Sequence, residues 1–217
     1  MADRYLLKAR KGKRGIWRRR YASRVMGHPR LSPVNWKGQP NRKLFTRAER
    51  DRAIKSLSSR GFQVSATRQV SAGDKIVERA SRFIGVHEEP PGSNSGPLIT
   101  KWLKRVGYPY AGPWCAAFAS CMPEDAGYPL KGGGSASVAV LEARAKNHRK
   151  WTHTPRRGYL GVLPHGSHIV VVARVTSKGI HTIEGNTSAS NGTNYNGGEV
   201  ARHIRPASDF VGFIKTF

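Results

Sequence analysis

Apolar residues recur at helical spacing over much of the chain and switch to alternation with polar ones towards its C-terminal end. Near the start, Tyr5-Leu6-Leu7-Lys8-Ala9 has the make-up of a short strand. Thr46-Arg47-Ala48-Glu49 is a capping box, a Thr with a Glu three residues on. The helix it opens sets Ala53, Ile54 and Leu57 on one face and ends at Gly61. Phe62, Val64 and Ala66 then alternate as in a half-buried strand. Ser71-Ala72-Gly73-Asp74 starts a second helix, with Ile76, Val77, Ala80, Phe83 and Ile84 at helical spacing and Gly85 closing it. A third begins near Pro97, buries Ile99, Trp102, Leu103 and Val106, and stops at Gly107. A fourth starts in Gly112-Pro113-Trp114-Cys115-Ala116-Ala117-Phe118, with Pro113 suited to its first turn. A fifth, carrying Val138, Val140 and Leu141, comes after the Gly132-Gly133-Gly134 loop.

From there the period changes to two. Tyr159 to Leu163, Ser167 to Val175, Gly179 to Glu184, Glu199 to Ile204 and Phe210 to Lys215 read as successive strands. They are separated by Pro164-His165-Gly166, Ser177-Lys178-Gly179 and Asn196-Gly197-Gly198. Helices followed by an antiparallel meander make an α+β architecture. The polar stretch Ser65 to Ser71 divides the chain into residues 1–70 and 71–217.

Charge sharpens that division. Of the 217 residues, 38 are Lys or Arg and 13 Asp or Glu, a balance of +25. Residues 1–72 hold 20 of the bases and 3 of the acids, a balance of +17; residues 73–217 hold 18 and 10, a balance of +8. The stretch Arg10 to Arg20 is basic, with Ile16 and Trp17 inside it. Pro29, Pro33, Asn35, Gly38, Pro40 and Asn41 then mark loops. The first part reads as a small basic α+β module, or as a segment that orders on a partner. Its field attracts polyanions: nucleic acid, anionic lipid or wall polymers such as teichoic acids. Tyr5, Trp17, Tyr21 and Trp36 among the bases either stack on bases or sugars or form the module's core. No apolar stretch reaches membrane-spanning length, and Met1 to Arg20 lacks the apolar core of a signal peptide. The two cysteines, Cys115 and Cys121, lie roughly 9 Å apart along one helix, too far for a disulfide.

Cys115 is the first candidate for chemistry. Its place in a first helical turn, where unpaired N–H groups and the dipole favour a thiolate, suits a nucleophile. A cysteine nucleophile needs a base, and the base an orienting group. His168 opens the apolar strand Ser167-His168-Ile169-Val170-Val171-Val172. The hairpin partner ends in Glu184-Gly185-Asn186, with Glu184 and Asn186 on one face. Cysteine, histidine and acceptor follow the chain order of papain-like hydrolases. His165 and His181 compete with His168 as imidazoles.

Four stretches carry a family likeness: Glu89-Pro90-Pro91-Gly92-Ser93-Asn94, Pro113-Trp114-Cys115-Ala116-Ala117-Phe118, Gly166-Ser167-His168 and His181-Thr182-Ile183-Glu184-Gly185-Asn186-Thr187-Ser188. On these, residues from about 74 to 217 resemble a CHAP domain, the cysteine, histidine-dependent amidohydrolase/peptidase of peptidoglycan hydrolases. The resemblance implies a papain-like fold, with Cys115 as nucleophile, His168 as general base and Glu184 or Asn186 as orienter. The Cys115 N–H would help hold an oxyanion. It further implies cleavage of an amide in peptidoglycan, between muramic acid and L-alanine or within the stem and cross-bridge peptides. Two positions depart from the family. Arg157-Gly158-Tyr159 stands where Pro-Gly-Asp is usual, and Ile169-Val170 come after the histidine where Val-Gly is frequent. The Asp-rich calcium loop of some members is missing, Glu88 and Glu89 being the nearest acids, so no metal and no cofactor is expected.

With no signal peptide, the leading expectation is a phage endolysin held in the host cytoplasm until lysis, or a lysin carried on the virion. Residues 1–70 would bind anionic wall polymers or dock on virion proteins. Two other classes remain: a virion structural protein with a CHAP fold and little activity, and a nucleic-acid-binding protein acting through the basic region, for which no known motif speaks.

Overall fold

The computed structural model describes residues 4–11, 20–25, 28–32, 46–59, 62–188 and 197–217. Ile16, Trp17, Pro33, Asn35, Trp36, Gly38, Pro40, Asn41, Gly61 and Asn196 lie outside them. The chain forms two compact units, Met1–Val70 and Ser71–Phe217.

In the first unit, β1 (Arg4–Lys11), β2 (Arg20–Val25), β3 (His28–Ser32) and β4 (Phe62–Gln69) form an antiparallel sheet in the order β3-β2-β1-β4. Helix α1 (Arg47–Ser58) packs on it and buries Ala53 and Leu57, with Leu7 of β1 also buried. Its capping box is closed: the Glu49 N–H donates to Thr46 Oγ1 at 3.3 Å, and the Thr46 N–H to Glu49 Oε2 at 2.9 Å. Strands β2 and β3 replace the loop expected around Pro29, which pairs with Arg24. Proline is tolerated there because β3 is the sheet's edge and needs no donor on its outer side.

The second unit places four helices before its sheet: α2 (Ala72–Ser81), α3 (Pro97–Arg105), α4 (Cys115–Asp125) and α5 (Val138–Asn147). Helix α2 has its own capping box, between Ser71 and Asp74. Ile84 lies beyond its end and is exposed, as is Val140 on α5, so neither joins the core. Helix α4 starts at Cys115, with Trp114 as its N-cap, so Pro113 sits just outside the helix rather than in its first turn. Every residue from Cys115 to Pro123 is buried. A helix apolar on all sides must be surrounded; α4 packs against α2 and α3 and against strands β7 (Ile169–Thr176) and β8 (Gly179–Thr187).

The sheet also contains β5 (Trp151–Thr152), β6 (Leu160–Val162), β9 (Glu199–Arg205) and β10 (Gly212–Ile214), and is antiparallel throughout, in the order β5-β10-β6-β7-β8-β9. Strands β6 to β9 form the expected meander. The last strand departs from it: β10 crosses back to lie between β5 and β6. Side-chain volume permits this. Gly161 of β6 leaves room for Phe210, whose ring stacks on Phe213 at 5.1 Å; a Cβ on Gly161 would meet the Phe210 ring at 2.5 Å.

The stretch before β6 meets the start of α2 at two glycines. A Cβ on Gly158, which has φ +85°, would lie 2.5 Å from Gly73 Cα. Arg157 holds this approach, its Nε donating to Asp74 Oδ1 at 2.7 Å and an Nη1 hydrogen to the Ala173 carbonyl. Gly158→Ala is expected to lower stability by about 1–3 kcal/mol in urea unfolding, since both the contact and the left-handed backbone resist a side chain. Gly133→Ala, at φ +82° with open space around it, should cost less. Equal losses would show that the close approach carries no strain.

Candidate active site

Cys115 is the first residue of α4 and only 4% exposed. An aromatic cluster fixes it from behind: Trp114 stacks on Trp102 at 5.8 Å, and Trp102 meets Phe118 edge-on at 5.2 Å. Strand β8 presses on the same cluster at Gly185, where a Cβ would lie 2.7 Å from Trp114 and 2.8 Å from Phe118. Glycine at 185 therefore sets how near the strand carrying Glu184 comes to the helix carrying Cys115.

His168 comes after a 3₁₀ turn (Pro164–Gly166) and directly precedes β7. Its ring is fully buried, with Nε2 3.0 Å from Glu184 Oε2. Glu184 is also fully buried and accepts three further hydrogen bonds. Thr182 Oγ1 donates to Oε1 at 2.5 Å, Arg205 Nε to Oε1 at 2.7 Å, and Arg205 Nη2 to Oε2 at 2.6 Å. Two bonds to each oxygen use the full accepting capacity of a carboxylate.

The charges are set by this packing. Burial pushes the His168 pKa down, but hydrogen bonds and charge interactions with Cys115 and Glu184 outweigh it and raise it to about 9. Burial pushes Glu184 up, and Arg205 and His168 together bring it down to about 2. At neutral pH the ring is thus a cation paired with the Glu184 carboxylate. Since Glu184 takes Nε2, Nδ1 is the nitrogen left for Cys115. Cys121, in contrast, is pushed up to about 12 by burial, against the pull of Arg105.

The structure brings Cys115, His168 and Glu184 together. Asn186 lies two residues beyond Glu184, buried, at φ 57°, in an irregular stretch of β8 between Glu184 and Thr187. The carboxylate that meets the imidazole is that of Glu184. His165 is exposed on the 3₁₀ turn, and His181 sits near the far end of the β7–β8 hairpin, its Nε2 3.4 Å from Thr176 Oγ1. Sequence reasoning passes over Thr182 and Arg205. Thr182 shares the face of Glu184 and is open to a parity argument; Arg205 depends on the register of β9, which one basic residue among many does not reveal. It also passes over His203, opposite Thr182 on β9, whose pKa burial lowers and whose Nε2 lies 3.1 Å from Thr187 Oγ1.

Among the described residues, no group of three or more His, Cys, Asp or Glu side chains could hold a metal ion, and no helix is long and apolar enough to cross a membrane. Both cysteines are free thiols. Compared with known protein families, curated proteins and solved structures, the chain matches none.

The buried pair ties stability to pH. With its pKa raised to about 9, His168 stabilises the fold fully below the ordinary value of 6.5, and that contribution is lost as pH rises through 9. With its pKa lowered to about 2, Glu184 stabilises fully above 4.5, and that contribution is lost as pH falls through 2. The pair therefore contributes most between those two ordinary values. Glu184→Gln should lower stability at pH 6 by about 3–5 kcal/mol and flatten the acid limb of a urea-midpoint profile. An unchanged acid limb would refute the assignment.

Proposed function

We propose that the chain is a cysteine amidohydrolase of the CHAP type, with a papain-like catalytic domain over residues 71–217, that cleaves an amide bond in bacterial peptidoglycan. The observation that carries this reading is the buried His168 ring, held by Glu184 through Nε2 and coupled to the thiol of Cys115 at the first position of α4. The His168 ring beside the thiol is placed to take its proton and to give it up again. The four sequence stretches that resemble CHAP domains supply the substrate class.

In this mechanism the Cys115 sulfur attacks the amide carbonyl, whose oxygen becomes an oxyanion facing the Cys115 N–H, free of an intrahelical acceptor at the helix start. Collapse breaks the C–N bond, and the His168 imidazolium gives its proton to the leaving amine. The neutral ring then takes a proton from water as the resulting hydroxide attacks the thioester, releasing a carboxylic acid and restoring the thiolate. Glu184 keeps the ring oriented through both steps, and Arg205 and Thr182 keep Glu184 in place. Peptidoglycan is the partner of this site. The basic first unit, at +17 over residues 1–72, attracts anionic wall polymers or docks the protein on a virion. The protein would wait in the host cytoplasm or ride on the particle until it meets the wall.

Zymography on purified walls tests the reading. Cys115→Ala should be folded and inactive, and Cys121→Ala near wild type, because the buried Cys121 thiol stays protonated. His168→Ala should lose about 10²–10⁴-fold in rate, and Glu184→Gln less. A Cys115→Ala protein that still clears walls would end the proposal, and muropeptide mass spectrometry on the wild type identifies the bond. Co-sedimentation with walls should weaken as salt rises, since exposed charges are screened beyond roughly 8 Å at physiological ionic strength. Binding that ignores salt would remove wall attraction from the role of the first unit.

A further inference from the structure

Glu88 is a buried carboxylate that the cysteine–histidine mechanism does not use. It is 3% exposed, and its Oε1 accepts the indole N–H of Trp114 at 2.9 Å. It is thus turned into the protein, unlike an acid on an open calcium loop. The backbone around it pairs with the start of β9. The Gly85 N–H donates to the Val200 carbonyl at 2.9 Å, the Val200 N–H to the Val86 carbonyl at 2.8 Å, and the Glu88 N–H to the Gly198 carbonyl at 2.8 Å. Gly198 lies against the carboxylate itself: a Cβ there would be 3.3 Å from Glu88 Cδ and Oε2. Strand β9 in turn pairs with β8, Ala201 opposite Glu184, and carries Arg205.

We propose that Glu88 is a positioning residue for Cys115, a buried strut that ties the N-cap of α4 to the strands bearing Glu184 and Arg205. Two contacts then fix the spacing between nucleophile and base. Gly185 against Trp114 and Phe118 sets how close helix and strand come; the bond from Trp114 to Glu88 stops them from parting. Trp114 is the residue before Cys115, so a shift of its indole moves the sulfur and the N–H that faces the oxyanion. This inference rests on the cysteine–histidine reading of the site but not on the identity of the substrate.

The test is the rate of Cys115 alkylation by iodoacetamide across pH in the full-length protein, with Cys121→Ala as background. In the parent, Cys115 should react readily at pH 7. In Glu88→Ala the rate there should fall about tenfold or more. Trp114→Phe, which keeps an aromatic ring but removes the donor together with part of the indole, should do the same. Glu88→Gln, whose amide oxygen still accepts the indole N–H, should stay within about threefold of the parent. On walls, Glu88→Ala should lose kcat with KM held. If Glu88→Ala does not fold, the contrast between Glu88→Gln and Trp114→Phe decides. Profiles of Glu88→Ala and Trp114→Phe that superimpose on the parent would overturn the proposal, as would a Glu88→Gln protein as impaired as Trp114→Phe. If the parent alkylates as expected but cleaves no wall, the hydrolase reading fails and the strut stands.

Discussion

A helix buried on every side is the constraint on which the second unit depends. Cys115 to Pro123 offer no polar face to water, so α4 is viable only when helices and sheet enclose it. The enclosure explains why small residues recur at its contacts. Ala116, Ala117 and Ala119 keep the helix slim, and Gly185 removes the side chain that would hold β8 away. Trp102, Trp114 and Phe118 then fill the remaining volume with rings, whose rigidity loses little entropy on ordering. The Cys115 end of the helix is placed by this packing and by the Trp114–Glu88 hydrogen bond.

Charge obeys a similar constraint. Taking Glu184, His168 and Arg205 out of water is costly unless each charge meets an opposite one in good geometry. Arg205 grips both carboxylate oxygens, so Glu184 stays ionised and can hold an imidazolium as well. A neutral acceptor in place of Glu184 would leave Arg205 buried without its counter-ion. This accounts for a carboxylate, in place of an amide, facing the ring: the surrounding strands already contain the cation that requires it.

The helices of this chain are legible because their caps and apolar spacing are local. Thr46 with Glu49 and Ser71 with Asp74 announce helix starts in the sequence and form the capping boxes seen in the structure. Strands β2 and β3 are not legible, because basic residues and Pro29 mask any alternation. Alternation names strands but not their neighbours, so nothing local tells β10 to pair with β6. The same limit divides the site. Cys115, His168 and the pair Glu184 and Asn186 can be found by residue type, helix start and hairpin parity, which does not choose between the last two. Arg205 and Glu88 act through partners distant in sequence, and only register and packing connect them.

The return of β10 to the middle of the sheet has a consequence for the order of assembly. Translation delivers α4 and its cysteine long before β8 and β9, and β6 gains its second neighbour only after residues 212–214 have been made. Pairings of such wide sequence separation form late and slowly. The nascent chain therefore carries the Cys115 thiol with no ordered imidazole beside it until nearly all of this unit has been synthesised. The thiol of Cys115 therefore waits for its ordered imidazole until the strands that hold Glu184 and Arg205 have been made.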